Sequence, residues 1–412
     1  MPSLAEARAL DAADPIAGYR KQFALPPGVI YLDGNSLGAL PLGTAARLGE
    51  VIRREWGEGL VRSWNSADWI GMPRRVGAMI APLIGAQADE VIACDSTSVN
   101  LFKLIAAALA LQKTLGCPRR KVVLSEPGNF PTDLYLIAGL ETQGLAERRL
   151  APVEALEAAL DDSVALLLLT HVHYKSGAMH DMARLTHAAH AAGALVLWDL
   201  SHSAGAVPVD LGGCEADLAV GCGYKYLNGG PGAPAFAFVA RRHHDALQQP
   251  LTGWMGHAAP FAFTDDYAPA PGIDRLLTGT PPILGLAALE EGVRLIAEIG
   301  VERLSAKSRA LSEFLRAAIA QVAPDLPCIS LEGAAPRGSQ LSYRHPQAYA
   351  IAQALIARGV IPDFREPDVL RLGLSPAYIR FEDGWHAAQA LGEVLASGEW
   401  ERAEFKARAA VT

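Results

Sequence analysis

Long apolar runs, paired cysteines and concentrated positive charge are what this chain lacks. No apolar stretch approaches the ~18 residues needed to cross a bilayer, so no membrane partner is expected. Lys and Arg number 36 against 44 Asp and Glu, for a net charge of −8, with no basic cluster beyond short runs such as Arg119-Arg120-Lys121. That balance argues against nucleic acid as a partner. The five cysteines, at 94, 117, 214, 222 and 328, are odd in number, scattered and without C-x-x-C spacing. They argue against a disulfide framework, and a reducing cytoplasm is the expected compartment. Residues Met1 to Asp14 include Glu6, Asp11 and Asp14 and lack the basic-then-apolar layout of a signal peptide. Internal repeats, low-complexity linkers and a G-x-S-x-G nucleophile elbow are missing too. The last absence weakens a serine-hydrolase reading of Ser203 beside His202.

What is there describes a well-packed globular protein. Hydrophobic residues make up 50% of the chain and charged residues 19%. At 412 residues it exceeds one ordinary core, so a large domain with a smaller companion is expected. From about residue 90 to 240, short apolar runs alternate with helix-like segments. Expected strands are 91–94, 121–125, 165–170, 194–199, 218–221 and 235–240, and expected helices 99–114, 131–142, 153–160 and 182–192. This alternation predicts an α/β fold with a mostly parallel central sheet covered by helices. In such sheets ligands sit at the carboxyl ends of the strands. After Gly285, helices at 286–299 and 301–322 lead into a shorter α+β stretch with elements at 340–343, 348–358, 369–372 and 385–396. The predicted division is an N-terminal arm over 1–55, forming part of the small domain, a large domain over 56–285 and a small C-terminal domain over 286–412.

Two residues at strand ends carry the chemistry. Asp199 closes the run Ala194-Leu195-Val196-Leu197-Trp198, and Lys225 stands between Tyr224 and Tyr226 after the run at 218–221. A buried strand delivers its carboxylate to the sheet edge, and a lysine in so apolar a setting is costly to bury unless it reacts. Singly, either residue could belong to a structural ion pair or snorkel to solvent. Together they suit pyridoxal phosphate. The lysine can hold its aldehyde as a Schiff base, and the carboxylate can keep the pyridine nitrogen protonated so that the ring accepts electrons.

Neighbouring blocks fit the same cofactor. Asp95-Ser96-Thr97-Ser98-Val99-Asn100 precedes an apolar helix, where hydroxyls cap free N–H groups and those groups can bind phosphate, with Thr97 and Ser98 as contacts. Phe130, in Gly128-Asn129-Phe130-Pro131-Thr132-Asp133, could lie on the pyridine ring or staple the helix begun by Pro131; both can hold together. Asp133 complements that helix start. Thr170 ends its own run, and His202, three residues after Asp199, could donate to the cofactor's ring oxygen. His171 and His173 could face one way along a strand, but no Cys, Asp or Glu cluster completes a ligand set, so no metal is expected.

These blocks resemble kynureninase, a fold-type-I pyridoxal phosphate enzyme near the cysteine desulfurase branch of aminotransferase class V. The resemblance rests on Tyr-Leu-Asp-Gly-Asn-Ser-Leu-Gly (31–38), Phe-Pro-Thr-Asp (130–133), Trp-Asp-Leu-Ser-His-Ser-Ala-Gly (198–205), Gly-Tyr-Lys-Tyr-Leu-Asn-Gly-Gly-Pro-Gly (223–232), Gly-Trp-Met-Gly-His (253–257), Gly-Thr-Pro-Pro-Ile (279–283) and Val-Leu-Arg-Leu (369–372). It implies hydrolysis of L-kynurenine to anthranilate and L-alanine in tryptophan catabolism, by a cytoplasmic homodimer with shared active sites. Lys225 would bind the cofactor, Asp199 pair with the pyridine nitrogen, Phe130 stack on the ring, and Thr170 and His202 flank it. Thr97, Ser98, Asp133 and Tyr224 would surround the phosphate, and Tyr224 could also serve as an acid–base group. Trp254 and Thr280 would reach the phosphate region from the partner subunit; some relatives have Asn at the latter position. Arg371 would clamp the substrate's α-carboxylate, with a salt bridge to Asp363, Glu366 or Asp368 as the alternative. Trp64 and Asn35 are candidates for the aryl pocket.

Two rivals were open to the same residues. The enzyme rival is a cysteine desulfurase or another β-eliminating relative; cysteine desulfurases usually carry His before the lysine, where this chain has Tyr224, and the rival needs a nucleophilic cysteine late in the chain. Cys328, in Leu326-Pro327-Cys328-Ile329, reads as structural. A catalytically dead scaffold should have lost Lys225 or Asp199, and both are present.

Overall fold

The fold is that of the computed structural model, which describes residues 2–333 and 335–408. Strand β1 (Ile30–Tyr31) lies in an N-terminal arm. The main sheet is built from β2 (Val91–Ala93), β3 (Val122–Ser125), β4 (Glu147–Leu150), β5 (Val164–Thr170), β6 (Leu195–Asp199), β7 (Leu218–Gly221) and β8 (Phe236–Val239), in the order β2-β8-β7-β6-β5-β3-β4. From β4 to β7 the strands run parallel; β8 runs against both of its neighbours.

The alternation of side chains along β5 explains why it is central. Leu166 and Leu168 join the core on one face, with Leu101, Leu104 and Ile105 of helix Thr97–Thr114. Leu167 and Leu169 join the core on the other face, with Leu185 of helix Met182–Ala191 and Leu286 and Leu289 of helix Ile283–Ile299. Period-two alternation thus buries both faces. Each fully buried leucine contributes roughly 1.5–3 kcal/mol of transfer free energy, so the strand is stable only where helices cover it twice. Register then sets the site. Thr170 lies opposite Asp199, and Asp199 opposite Val220, so the carboxyl ends of β5, β6 and β7 are level.

Two expectations need correction. The strand β4 was not expected, because Glu147-Arg148-Arg149-Leu150 is charged and largely exposed. It pairs on one side only, and charge suits such an edge. The helix expected over 153–160 is a pair of short 3₁₀ turns, Val153–Ala155 and Glu157–Ala159. Only Leu156 of that stretch is buried, and a segment this short cannot offset the cost of helix nucleation without packing.

The C-terminal region adds β9 (Gln340–Arg344), β10 (Val360–Ile361), β11 (Asp363–Arg365) and β12 (Val369–Gly373). The three strands β11-β12-β9 form an antiparallel sheet, and β1 pairs in parallel with β10. Asp11 of the arm accepts from the N–H groups of Phe381 and Glu382 at 2.7 and 2.9 Å, capping helix Phe381–Ser397. The arm also reaches the lysine loop, where the Gly38 N–H donates to the Tyr224 carbonyl at 2.8 Å. A Cβ at position 38 would collide with the Lys225 carbonyl, so glycine is required by close approach. Among the described residues no helix is long and apolar enough to cross a membrane.

Candidate active site

A cavity of about 620 Å³ opens at the carboxyl ends of β5, β6 and β7. Thr170, Asp199, His202 and Lys225 line its floor, and Phe130 and Tyr224 its walls. Lys225 follows β7 by four residues and is only 8% exposed. Its Nζ stands 3.1 Å from His202 Nε2, 5.6 Å from the centre of the Phe130 ring and 5.9 Å from that of Tyr224. Burial first, and then the Lys225 charge, hold the His202 imidazole well below its usual range. It is therefore neutral, accepting from Lys225 at Nε2. Asp199 accepts from the Ser201 N–H at 2.8 Å. Burial pushes its carboxyl upward, against the pull of Ser201 and Lys225.

The opposite end of the cavity is the start of helix Thr97–Thr114. Ser96 caps it, accepting from the Val99 N–H at 3.3 Å. Ser98 Oγ is 2.8 Å from Thr132 Oγ1. Among the described residues neither the buried Thr97 Oγ1 nor the buried His202 Nδ1 has a partner. A buried polar atom left unpaired costs roughly 1–3 kcal/mol, so these two orphans mark a place built for a polar ligand. An amine, a carboxylate at a strand end, an aromatic wall and a helix N-terminus with free N–H groups match the aldehyde, pyridine nitrogen, ring face and phosphate of pyridoxal phosphate. The residues present fit that group.

Several expected residues lie elsewhere than anticipated. Asp133, expected around the phosphate, is fully buried and absent from the cavity lining. Its Oδ2 is 3.3 Å from Thr170 Oγ1, and burial followed by the Asp199 charge raises its carboxyl well above the usual range. On the first turn of helix Pro131–Thr142 it is buried, facing the end of β5. Thr280, expected from a partner subunit, lines this chain's own cavity. Trp254 does not; it is 40% exposed and lies edge-on to Phe261, ring centres 5.6 Å apart. Trp64 packs edge-on against Trp69 at 5.8 Å, also away from this cavity. Asn35 is fully buried, 3.4 Å from Gln340 Oε1 through Nδ2, with Oδ1 unpartnered.

Arg371 realises the alternative weighed for it, a salt bridge to Asp363. Its guanidinium also donates to the Tyr174 carbonyl at 2.7 Å and to Ser36 Oγ at 2.9 Å, and its Nε has no partner among the described residues. Arg365 donates to the same Asp363 at 2.9 Å and the same Ser36 at 3.0 Å. Sequence reasoning named Asp363 only as a rival and missed Ser36 and Arg365. Ser36 stood inside the 31–38 block, which was a usable signal; Arg365 had none.

Asn129 was missed as well. Its Oδ1 accepts from the Phe130 N–H at 2.8 Å and from the Thr170 hydroxyl, and its Nδ2 donates to Ser125 Oγ at 3.0 Å. It ties the Phe130 loop to β3 and β5. An asparagine after Gly128 is a turn signal that could have found it. His171 and His173 make separate bonds, Nδ1 to Ser203 Oγ at 2.9 Å and Nε2 to the Gly128 carbonyl at 3.0 Å. Burial takes the His171 imidazole down to about 3. Among the described residues no group of three or more His, Cys, Asp or Glu is arranged to hold a metal ion. Cys328 lies 3.0 Å from an Arg316 nitrogen, outside the cavity.

Residues 304–391 match the family model of the kynureninase C-terminal domain. A kynureninase of Burkholderia mallei (strain SAVP1) is 51% identical over the whole of both chains. One from Pseudomonas fluorescens is 49% identical over 98% of each. Among solved structures, the apo cysteine desulfurase of Thermococcus onnurineus NA1 matches with a TM-score of 0.78 at 19% identity, covering 92% of this chain and 98% of that one. A C-DES variant with glycine covalently linked to the PLP cofactor also gives 0.78, at 18% identity, over 90% and 98% of the two chains. At such identities these last two speak for the fold alone.

Proposed function

This chain belongs to the kynureninase family, and from that premise we infer what its cavity does. It is a pyridoxal phosphate-dependent hydrolase that splits the Cβ–Cγ bond of L-kynurenine with water, giving anthranilate and L-alanine. When bound, the cofactor supplies a conjugated, protonated pyridine that takes up the electron pair left at the substrate carbon. The chain's own residues do the rest. Lys225 Nζ would hold the cofactor through its aldehyde, and the same amine would serve as the base for the proton at the substrate Cα. Asp199 keeps the proton on the pyridine nitrogen. Neutral His202 accepts from Lys225 and so orients it. Burial raises the Tyr224 hydroxyl above its usual range, so it stays protonated and can donate to the substrate carbonyl or to phosphate. Thr97, Ser98 and their helix N-terminus hold the phosphate, and Phe130 walls the ring.

The observation that carries this reading is the Lys225 amine, 3.1 Å from a neutral imidazole, in a cavity floored by Asp199. Purified protein loaded with pyridoxal phosphate should release fluorescent anthranilate from kynurenine. No anthranilate, or sulfur release from cysteine in its place, would overturn the assignment.

Recognition of the substrate is proposed for Arg371, Asn35 and Trp64. The α-carboxylate would join Asp363 on the Arg371 guanidinium, using the unpartnered Nε–H. Asn35 and Trp64 are proposed for the aryl pocket. Trp64, away from its own cavity, would serve a partner's. A homodimer is supported by the large exposed aromatics beside Trp254, Phe261 at 59% and Phe263 at 77%, since such patches mark interfaces. Inactive Lys225→Ala chains mixed with inactive Trp254→Ala chains should regain activity if sites are shared; none regained despite subunit exchange would count against it. The five free thiols support a cytoplasmic location, which cell fractionation would test. The division near residues 55 and 285 is proposed too, supported by the pairing of the arm with the C-terminal region, and limited proteolysis would test it.

A further inference from the structure

Lys103 is the most deeply buried cation near the cavity, and nothing in the chemistry above uses it. Its side chain is 0% exposed. On helix Thr97–Thr114 it reaches back toward the N-terminus, as helical side chains do, and meets Asp95 just before the helix. The distance from Nζ to Asp95 Oδ2 is 2.6 Å, and Nζ also donates to the Leu276 carbonyl at 2.5 Å. Asp95 lines the cavity, next to Ser96, Thr97 and Ser98. Its backbone is left-handed, with φ 48°, a conformation that side chains other than glycine adopt at some cost. Its carbonyl accepts from the Ala235 N–H at 2.9 Å. The segment Gly272–Leu276 leads in turn to Thr280, which lines the same cavity. One ammonium therefore joins three segments at the phosphate end.

The pair is not explained by stability alone, because a buried ion pair is often no better than an apolar pair of the same shape. Its position offers a reason. A carboxylate in the wall of a phosphate site would repel the dianion it is meant to accept. Lys103 neutralises that carboxylate and fixes the turn that aims the N–H groups of residues 96–98.

We propose that Lys103 is a positioning residue for the cofactor's phosphate, cancelling the Asp95 charge and holding the 95–98 turn against the loop that carries Thr280. The proposal rests on reading the cavity as a pyridoxal phosphate site. Its test compares pyridoxal phosphate with pyridoxal, which lacks the phosphate, titrated into apoprotein and followed by absorbance. Lys103→Met should raise the apparent Kd for pyridoxal phosphate by about tenfold or more while changing that for pyridoxal by less than about threefold. Lys103→Met combined with Asp95→Asn should recover part of the lost affinity, since no uncompensated carboxylate remains although the tie to the Leu276 carbonyl stays broken. Equal losses for both ligands, or a double variant as weak as the single one, would reduce Lys103 to a structural role. Should Lys103→Met not fold, Asp95→Asn carries the test. Asparagine tolerates the left-handed backbone, and pyridoxal phosphate should bind as tightly as to the unaltered protein or more so; weaker binding of it alone would overturn the proposal. Failure of the unaltered protein to bind pyridoxal phosphate would instead sink the reading of the cavity.

Discussion

The floor of the cavity and the Arg371 cluster are both buried and both charged, yet they are made in different ways. The floor draws Thr170, Asp199 and Lys225 from the ends of three adjacent parallel strands or the loop just after one. Polar atoms of the cavity are left unpaired among the described residues, His202 Nδ1 at the floor and Thr97 Oγ1 at the opposite end. The Arg371 cluster gathers Ser36 from the arm, the Tyr174 carbonyl from the large sheet's loops, and Asp363 and Arg365 from the C-terminal strands. Its groups are almost fully satisfied by one another. A site kept open for a cofactor thus shows as orphaned polar atoms. The Arg371 cluster, proposed above to take the substrate carboxylate beside Asp363, shows instead as a nearly closed network. On the function proposed above, chemistry and recognition would sit on separate supports and should fail separately.

The sharpest break is at the floor. Lys225→Ala should lose the visible absorbance of lysine-linked cofactor and reduce turnover of kynurenine by roughly 10³-fold or more, with far-UV circular dichroism unchanged. Retained turnover would remove Lys225 from the chemistry. Asp199→Asn should still bind pyridoxal phosphate, because the phosphate end is untouched. An amide cannot hold the pyridine nitrogen protonated, so kcat should fall by roughly 10²–10³, or about 3–4 kcal/mol of barrier. An unchanged kcat in steady-state assays would contradict that role.

At the other support the expected effects are smaller and of another kind. Arg371→Lys keeps the charge but cannot reach Tyr174, Ser36 and Asp363 together. We expect kcat/KM for kynurenine to fall by roughly tenfold or more, at least about 1.4 kcal/mol, with normal cofactor absorbance. A variant with unaltered kcat/KM, or one that cannot retain cofactor, would erase the distinction drawn between floor and cluster.

The smallest effect concerns Asp33, whose carboxyl is pushed up to about 7, mainly by burial and next by the Asp363 charge. The folded value lies above the unfolded one of about 3.9. Its contribution to stability is therefore fully present below pH ~4 and is lost as pH rises through about 7. Asp33→Asn has no such loss. Between pH 5 and 8 the melting temperature of the unaltered protein should fall by a few degrees relative to the variant. A difference that stays constant with pH would show that Asp33 does not titrate there.

Much of the floor was legible because its signals are local. Asp199 and Lys225 each end or follow an apolar run, and those runs became β6 and β7 with bounds within a residue of expectation. Helices Pro131–Thr142 and Val301–Val322 were readable end to end, for periodicity and Pro131 act within a few residues. The charged edge strand Glu147–Leu150 left no such trace, since its only reason to be a strand is the neighbour it pairs with.

Composition, apolar period and the residues flanking each run thus determined the fold class, the strand ends and the lysine–carboxylate pair. Tertiary structure alone decided that Asp133 is buried against Thr170, that Thr280 lines its own chain's cavity, that Trp254 and Trp64 do not, and that Arg371 is already held by Asp363. It also decided that Ser36 and Arg371, 335 residues apart, share a hydrogen bond. The physical reason is range. Propensity and burial period are set by the nearest few residues, whereas a charge finds its partner only once strand register and packing have brought distant segments together.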